Sequence, residues 1–385
     1  RQLNGTSMKK INILEPNLTS IEKKILFKAV KDNQISTYGN NIKKFEDKVK
    51  SITQAKYTIA ITSGSVGLYL SFKSLKIKEG DIVLTQSYTF GATINSIVHA
   101  GGNPFLFDIY EKTLSINLEQ VENYLIKDTY KKGNFYFDKK TKKRVYCICP
   151  VLSFSIVPDL KKLKHISKKY NLKIILDAAS ALGSKFYKKS LENFSDIVVY
   201  SFNGNKSYTS GGGGIISTNN KKLSDYIRLI STNAKSSKYP YSYYDFGFNF
   251  KITNLHASIG YGQMMRFKKI NKIKLKIQKK YENSFDKKIK IPPKPVWSNH
   301  TLWLNFVVLK NHNQLKKISN KLRNNNVNTN AFWKPIHMQN YKIKPRFFDQ
   351  EITEKLWKRI LVLPSSLNLK IKIQNKIINI IKNNI

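Results

Sequence analysis

Residues 172–178 read LKIILDA, and residues 196–206 read DIVVYSFNGNK, followed by Gly211–Gly214 and a second apolar run, IIST. Each run is a short strand ending in a residue that an ordinary core would not place there: a carboxylate at Asp177 and a cation just past the strand, at Lys206. Outward from this pair, further strand candidates are TIAIT (58–62), DIVLT (81–85), NPFLFDI (103–109) and YCICPVL (146–152). Helical stretches lie between them, among them GLYLSFKSL (67–75), TFGATINSIVHAG (89–101) and DLKKLKHISKKY (159–170). Strands separated by helices predict an α/β fold with a mostly parallel sheet flanked by helices on both faces. Residues 129–144, TYKKGNFYFDKKTKKR, are polar with hairpin turn chemistry and read as an insertion.

The texture changes after residue 265. A Lys-rich helix at 266–285 leads to Pro292, Pro293 and Pro295. A strand follows at 301–309 (TLWLNFVVL), then a helix at 313–326 and an amphipathic stretch from about 370. Residues 266–385 are expected to form a smaller C-terminal α+β domain, and residues 8–265 the N-terminal arm and the large domain. The opening RQLNGTS (1–7), ahead of Met8, reads as a remnant of an expression vector.

The 385 residues carry a formal net charge of +44, supplied by 61 lysines and only seven arginines. Surfaces that read nucleic acid draw on the planar fork of arginine. Lysines spread along the chain fit a solvated surface better, although attraction to anionic partners follows from the charge alone. A nucleic-acid-binding protein on this scaffold is the alternative of another class, but no helix-turn-helix or RNA-binding motif is evident. Cys147 and Cys149 alternate within one strand and suit neither a zinc knuckle nor a redox pair. That usage points to a reduced, cytoplasmic protein without a metal site. No run is long and apolar enough for a membrane helix.

Ligands of open α/β sheets gather at the carboxyl ends of the strands, and four such ends are unusual here. Thr62-Ser63-Gly64-Ser65 precedes a helix and offers N–H groups to a phosphate, though the same residues make an ordinary N-cap. Asp177 needs a cation or donors if buried, or else caps a helix. Lys206 sits beside four glycines that permit close backbone approach. Phe90 follows DIVLT and places a ring at the mouth of the sheet, or in its core. A phosphate cradle, an aromatic plate, a buried carboxylate and a strand-end lysine together are what pyridoxal 5′-phosphate (PLP) requires.

Those residues also carry a resemblance to a known family. STYG at 36–39, TSGSVGL at 62–68, SYTFGATIN at 87–95, DAASALGS at 177–184 and YSFNGNKSYTSGGGG at 200–214 resemble the DegT/DnrJ/StrS-type sugar aminotransferases. GFNFKITNLHASIG at 247–260, FWKPIHMQ at 332–339 and LPSS at 363–366 continue the likeness in order. The resemblance implies a fold-type I PLP-dependent transferase with Lys206 as the Schiff-base lysine and Asp177 as partner of the pyridinium nitrogen. It also implies that Phe90 stacks on the ring, that Gly64, Ser65 and Ser201 hold the phosphate, and that Ser180 lies near the phenolic oxygen. Asn249 would reach the cofactor of the other subunit, which implies a homodimer. Trp333, Lys334 and His337 are candidates for the nucleotide-sugar.

Within the family, SFNGNK with its Gly run, STNAK at 231–235 and FWKPIH resemble enzymes that aminate C4 of UDP-linked 4-keto-6-deoxy-N-acetylhexosamines with L-glutamate. GDP-linked, perosamine-type enzymes share much of the pattern. Departures from the family include Ser180 where Gln, Glu or His is usual, and Asn330 where Arg is common.

Overall fold

The computed structural model describes residues 10–385 except 237, 240, 286–288 and 290, so the expected remnant at 1–7 lies outside the described residues. Seven of the strands carry the site: β1 Tyr57–Ile61, β2 Ile82–Gln86, β3 Asn103–Phe107, β4 Arg144–Cys149, β5 Lys173–Asp177, β6 Ile197–Ser201 and β7 Gly214–Thr218. They lie in the order β1-β7-β6-β5-β4-β2-β3. Neighbours from β6 through β3 pair in parallel, whereas β7 runs antiparallel to both β6 and β1. The carboxyl ends of β1, β2, β5 and β6 therefore share one edge of the sheet.

Both faces of this sheet are apolar because both are covered. Helices Gly64–Ser74, Gly91–His99 and Lys221–Ile230 cover one face with Leu68, Phe72, Ile97 and Ile227. Helices Asn40–Thr53, Leu118–Lys127 and Leu160–Tyr170 cover the other with Phe45, Val49, Tyr124 and Ile166. Strand alternation sends Cys147 and Cys149 to the first face and Ile148 to the second, as the spacing predicts. Both thiols are free and buried, and burial pushes them up, away from ionisation.

The insertion is a hairpin, Thr129–Lys132 against Phe135–Asp138, turning at Gly133 with φ +59°. Its second strand pairs with β4, and Asp138 anchors it by accepting from Tyr124 (3.0 Å) and Arg346 (2.7 Å). Toward the C-terminus a smaller sheet forms from Asn305–Val308, Ile360–Leu363 and Asn330–Ala331. Helices His312–Asn324 and Ile371–Lys382 pack on it. The N-terminal arm joins this unit, since Ile11 bridges Val327 and the Ile13 carbonyl accepts from Ser365 N–H. Arg346–Phe347 returns to the large sheet and pairs with β3.

One strand is shorter than its apolar pattern predicts. The run 301–309 forms ladder bonds only over Asn305–Val308. The carbonyls of Leu302 and Trp303 are taken by the side chains of Ser207 and Lys274 instead, and that diversion proves to matter for the site.

Candidate active site

Where β1 ends, Ser63 caps the helix Gly64–Ser74 by accepting from Val66 N–H at 3.1 Å. The cap starts the helix at Gly64, inside the Thr62–Ser65 stretch that the sequence places ahead of it. The first N–H groups of such a helix lack intrahelical acceptors and suit an anion. Gly64 is required by crowding: a Cβ there would stand 2.9 Å from Ser201 Cβ. A Cβ on Gly214 would lie 2.7 Å from the Ser63 carbonyl. The ends of β1 and β6 and the start of β7 thus meet at close distance; Ser65, next in the chain after Gly64, is exposed, and Ser201 is half-buried.

At the end of β5, Asp177 is buried, at 4 % exposure. It is no helix cap: Oδ2 accepts from Thr93 Oγ1 at 2.7 Å and Oδ1 from Ala179 N–H at 3.1 Å. Thr93 continues to Thr89 through a 3.1 Å hydroxyl contact. Burial pushes the Asp177 carboxyl above its ordinary range, against the pull of Thr93, the Ala179 amide and Lys206. A buried carboxylate with two donors and a nearby cation has capacity for a third donor, such as a ring N–H.

Lys206 answers Asp177 electrically. Burial brings its ammonium down to about 8, although Asp177 favours the charged form. Its Nζ lies 4.3 Å from the centroid of the Trp303 ring, within cation–π range. Trp303 in turn belongs to an aromatic group with Phe154 (6.1 Å) and Trp333 (6.0 Å).

Phe90 is 66 % exposed and sits at the start of the helix Gly91–His99. It lines a cleft of about 440 Å³ with Thr89, Trp333, Lys334 and Tyr341. Trp333 and Lys334 thus share a wall with Phe90. His337 is set apart: it is buried, with Nδ1 2.6 Å from Ser87 Oγ and Nε2 3.0 Å from Glu354 Oε1. Ser180 gives its hydroxyl to the Leu152 carbonyl at 3.4 Å. Asn249 is exposed and bridged to Thr232.

Three contributors escaped the sequence reading. Thr93 is an ordinary residue of a helix, Trp303 looked like strand core, and Lys274 is one lysine among 61. Nothing in their spacing marks them, because their partners lie far away along the chain.

The residues fit PLP on the structure's own terms. A Cβ would fill the cradle at Gly64, and the buried Asp177 suits a cationic ring nitrogen. Sheet order and strand-end cluster define a fold-type I PLP-dependent transferase. The chain belongs to the DegT/DnrJ/EryC1/StrS aminotransferase family, whose model matches residues 17–382, and it is a PLP-dependent sugar aminotransferase. Among its relatives, a GDP-perosamine synthase of Escherichia coli O157:H7 is 28% identical, over 93% of this chain and 94% of that one. The UDP-4-amino-4,6-dideoxy-N-acetyl-β-L-altrosamine transaminase of Campylobacter jejuni is 27% identical, over 68% and 66%. NtdA of Bacillus subtilis, solved with bound PMP, superposes with a TM-score of 0.83 at 22% identity, covering 95% of this chain and 82% of its own.

Proposed function

We propose that this protein transfers the amino group of L-glutamate to the C4 ketone of a nucleoside-diphosphate-linked 4-keto-6-deoxy sugar. The reading is carried by Lys206, whose amine faces Asp177 electrostatically at the sheet edge where Gly64 and Ser201 meet. When bound, PLP supplies an aldehyde that takes up and passes on an amine, and an electron sink for the adjacent carbon.

The chain's own residues do the rest. Asp177, kept from water and steadied by Thr93, keeps the ring nitrogen protonated. The helix start at Gly64 and Ser65, with Ser201, holds the phosphate. Lys206 moves the proton at the carbon that gains or loses the amine. An amine titrating near 8 holds that proton at neutral pH and gives it up at small cost. Phe90 covers the ring, while Trp333 and Lys334 meet the sugar nucleotide in the shared cleft. Asn249 reaches the cofactor of the partner subunit in a homodimer.

The motifs around SFNGNK, STNAK and FWKPIH favour a UDP-linked N-acetylhexosamine. A second reading, a GDP-linked sugar, draws support from the nearly full-length likeness to a GDP-perosamine synthase. Either product suits surface glycan synthesis in the cytoplasm. No helix among the described residues is long and apolar enough to cross a membrane. The test is incubation with PLP, glutamate and UDP-, GDP- and dTDP-linked 4-keto-6-deoxy sugars, read by mass spectrometry. An amino-sugar product in the UDP series is expected. A product in the GDP series alone selects the second reading, and no product with no bound PLP overturns both.

A further inference from the structure

Lys274 is a second lysine whose burial changes its chemistry. It lies on the helix Phe267–Ser284 and is 1 % exposed. Its Nζ donates to Trp303 O at 2.7 Å and to Ser365 O at 2.9 Å. Burial alone acts on its charge and brings the ammonium down to about 7. Two carbonyls match the two N–H donors of a neutral amine, whereas an ammonium would carry a third into an apolar site.

Those bonds hold a residue that touches the site. From its other end, Trp303 donates its indole N–H to Asn205 O at 2.8 Å. Its neighbour Leu302 offers its carbonyl to Ser207 Oγ at 2.7 Å. The residues on either side of Lys206 are therefore both fastened to the Trp303 segment. Between them, the Lys206 Nζ lies over the Trp303 ring. Asp177 is the charged group acting on Lys206. Along the Lys274 helix, Tyr281 gives its hydroxyl to Pro364 O and Asn271 receives that of Tyr208; burial keeps both phenols neutral.

We propose that Trp303 is the resting plate for the Lys206 ammonium whenever that amine is not bonded to the cofactor, and that Lys274 is the positioning residue that holds the plate. The inference rests on Lys206 being the cofactor-bonding lysine. A transaminase lysine must be free and carry a proton for part of every cycle. An aromatic face stabilises the charged amine without a bond that must be broken before the lysine returns. A neutral Lys274 can hold Trp303 in place without adding a positive charge that would oppose the ammonium it supports.

The experiment measures the pH midpoint for acetylation of Lys206 in the cofactor-free full-length chain, read by peptide mass spectrometry. Trp303→Leu is expected to lower the midpoint by about one pH unit, and Trp303→Phe, which keeps a ring, to lower it less. Lys274→Met is expected to lower it in the same direction and to add nothing in the Trp303→Leu background. Lys274→Gln, which keeps two N–H donors without a charge, is expected to stay closer to the parent. An unchanged or raised midpoint in Trp303→Leu overturns the plate. Additive shifts from the two lesions overturn the role of Lys274. If Lys274→Met does not fold, the Trp303 pair and Lys274→Gln still decide. Borohydride reduction of the PLP-loaded protein separates the two readings. Cofactor fixed to the Lys206 peptide with no Trp303→Leu shift sinks only the plate, whereas cofactor fixed to another lysine sinks the assignment of Lys206.

Discussion

Thr93 Oγ1 donates a 2.7 Å hydrogen bond to Asp177 Oδ2 across 84 positions of the chain. The helix start after β2 is thereby fastened to the end of β5, and the carboxylate that defines the site is aimed by a residue of another βα unit. Replacing Thr93 by Val keeps the shape and leaves Oδ2 without this donor. An unpaired buried carboxylate oxygen costs about 1–3 kcal/mol, so PLP affinity should fall about tenfold or more in a spectroscopic titration. Thr93→Ser should stay close to the parent.

Asp177→Asn separates stability from function. A carboxyl raised by burial binds its proton more tightly in the folded than in the unfolded chain, so its ionisation costs stability from about pH 4 upward. The cofactor-free Asn variant should therefore melt about 1–3 °C higher at pH 7 by calorimetry. The same variant, with PLP, should lose at least about a hundredfold in kcat, because a neutral partner no longer holds the ring nitrogen protonated. A variant that turned over normally would remove Asp177 from its assigned role.

Gly64→Ala places a methyl group 2.9 Å from Ser201 Cβ. One side must move, and the phosphate cradle moves with it. PLP binding should weaken by about tenfold, equivalent to about 1.4 kcal/mol, with circular dichroism unchanged. Adding Ser201→Gly removes the obstructing atom and should recover part of the loss.

Subunit mixing tests Asn249. Asn249→Ala and Lys206→Ala homodimers are each expected to be inactive or severely impaired. In the homodimer proposed above, a mixed dimer would contain one site with an intact Lys206 and the partner subunit's Asn249. Activity should therefore reappear on mixing, up to about half that of the parent per mixed dimer, since one of two sites is whole. If mixing restores nothing while hybrids form, Asn249 serves its own chain or none.

Lys274 makes stability depend on pH in a direction that can be worked out. Its ammonium titrates near 7 when folded and near 10.5 when unfolded, so between those values the unfolded chain holds more protons. Folding stability should therefore rise from pH 7 to 9 by up to about 1.4 kcal/mol per unit from this residue. Lys274→Met should flatten that rise in urea titrations, whatever it does to the absolute stability.

Strand runs ending in chemistry-bearing residues made much of this molecule legible. LKIILDA and DIVVYSF announce β5 and β6, because β-branched runs flanked by helices have few other places to go. Asp177, Lys206 and Gly64 stand out by strand-end position, and position is a local property. Trp303 was hidden by its own apolar neighbours: TLWLNFVVL promises nine residues of strand, while Ser207 and Lys274 withdraw two of its carbonyls from the ladder. His337 shows the converse. A histidine in WKPIH looks available to a ligand, yet the fold engages both its ring nitrogens with Ser87 and Glu354.

The sequence by itself determined the α/β class, the strand-end residues and the resemblance to sugar aminotransferases, all of which follow from local pattern and ordered motifs. Tertiary structure alone decided which groups meet: the Thr93 hydroxyl with the Asp177 carboxylate, the Gly64 backbone with Ser201, and the Lys274 amine with the backbone carbonyl of the tryptophan under Lys206. The physical reason is burial. Sixty-one lysines are alike in the chain, and only packing decides which of them lose water and, with it, an ordinary affinity for the proton.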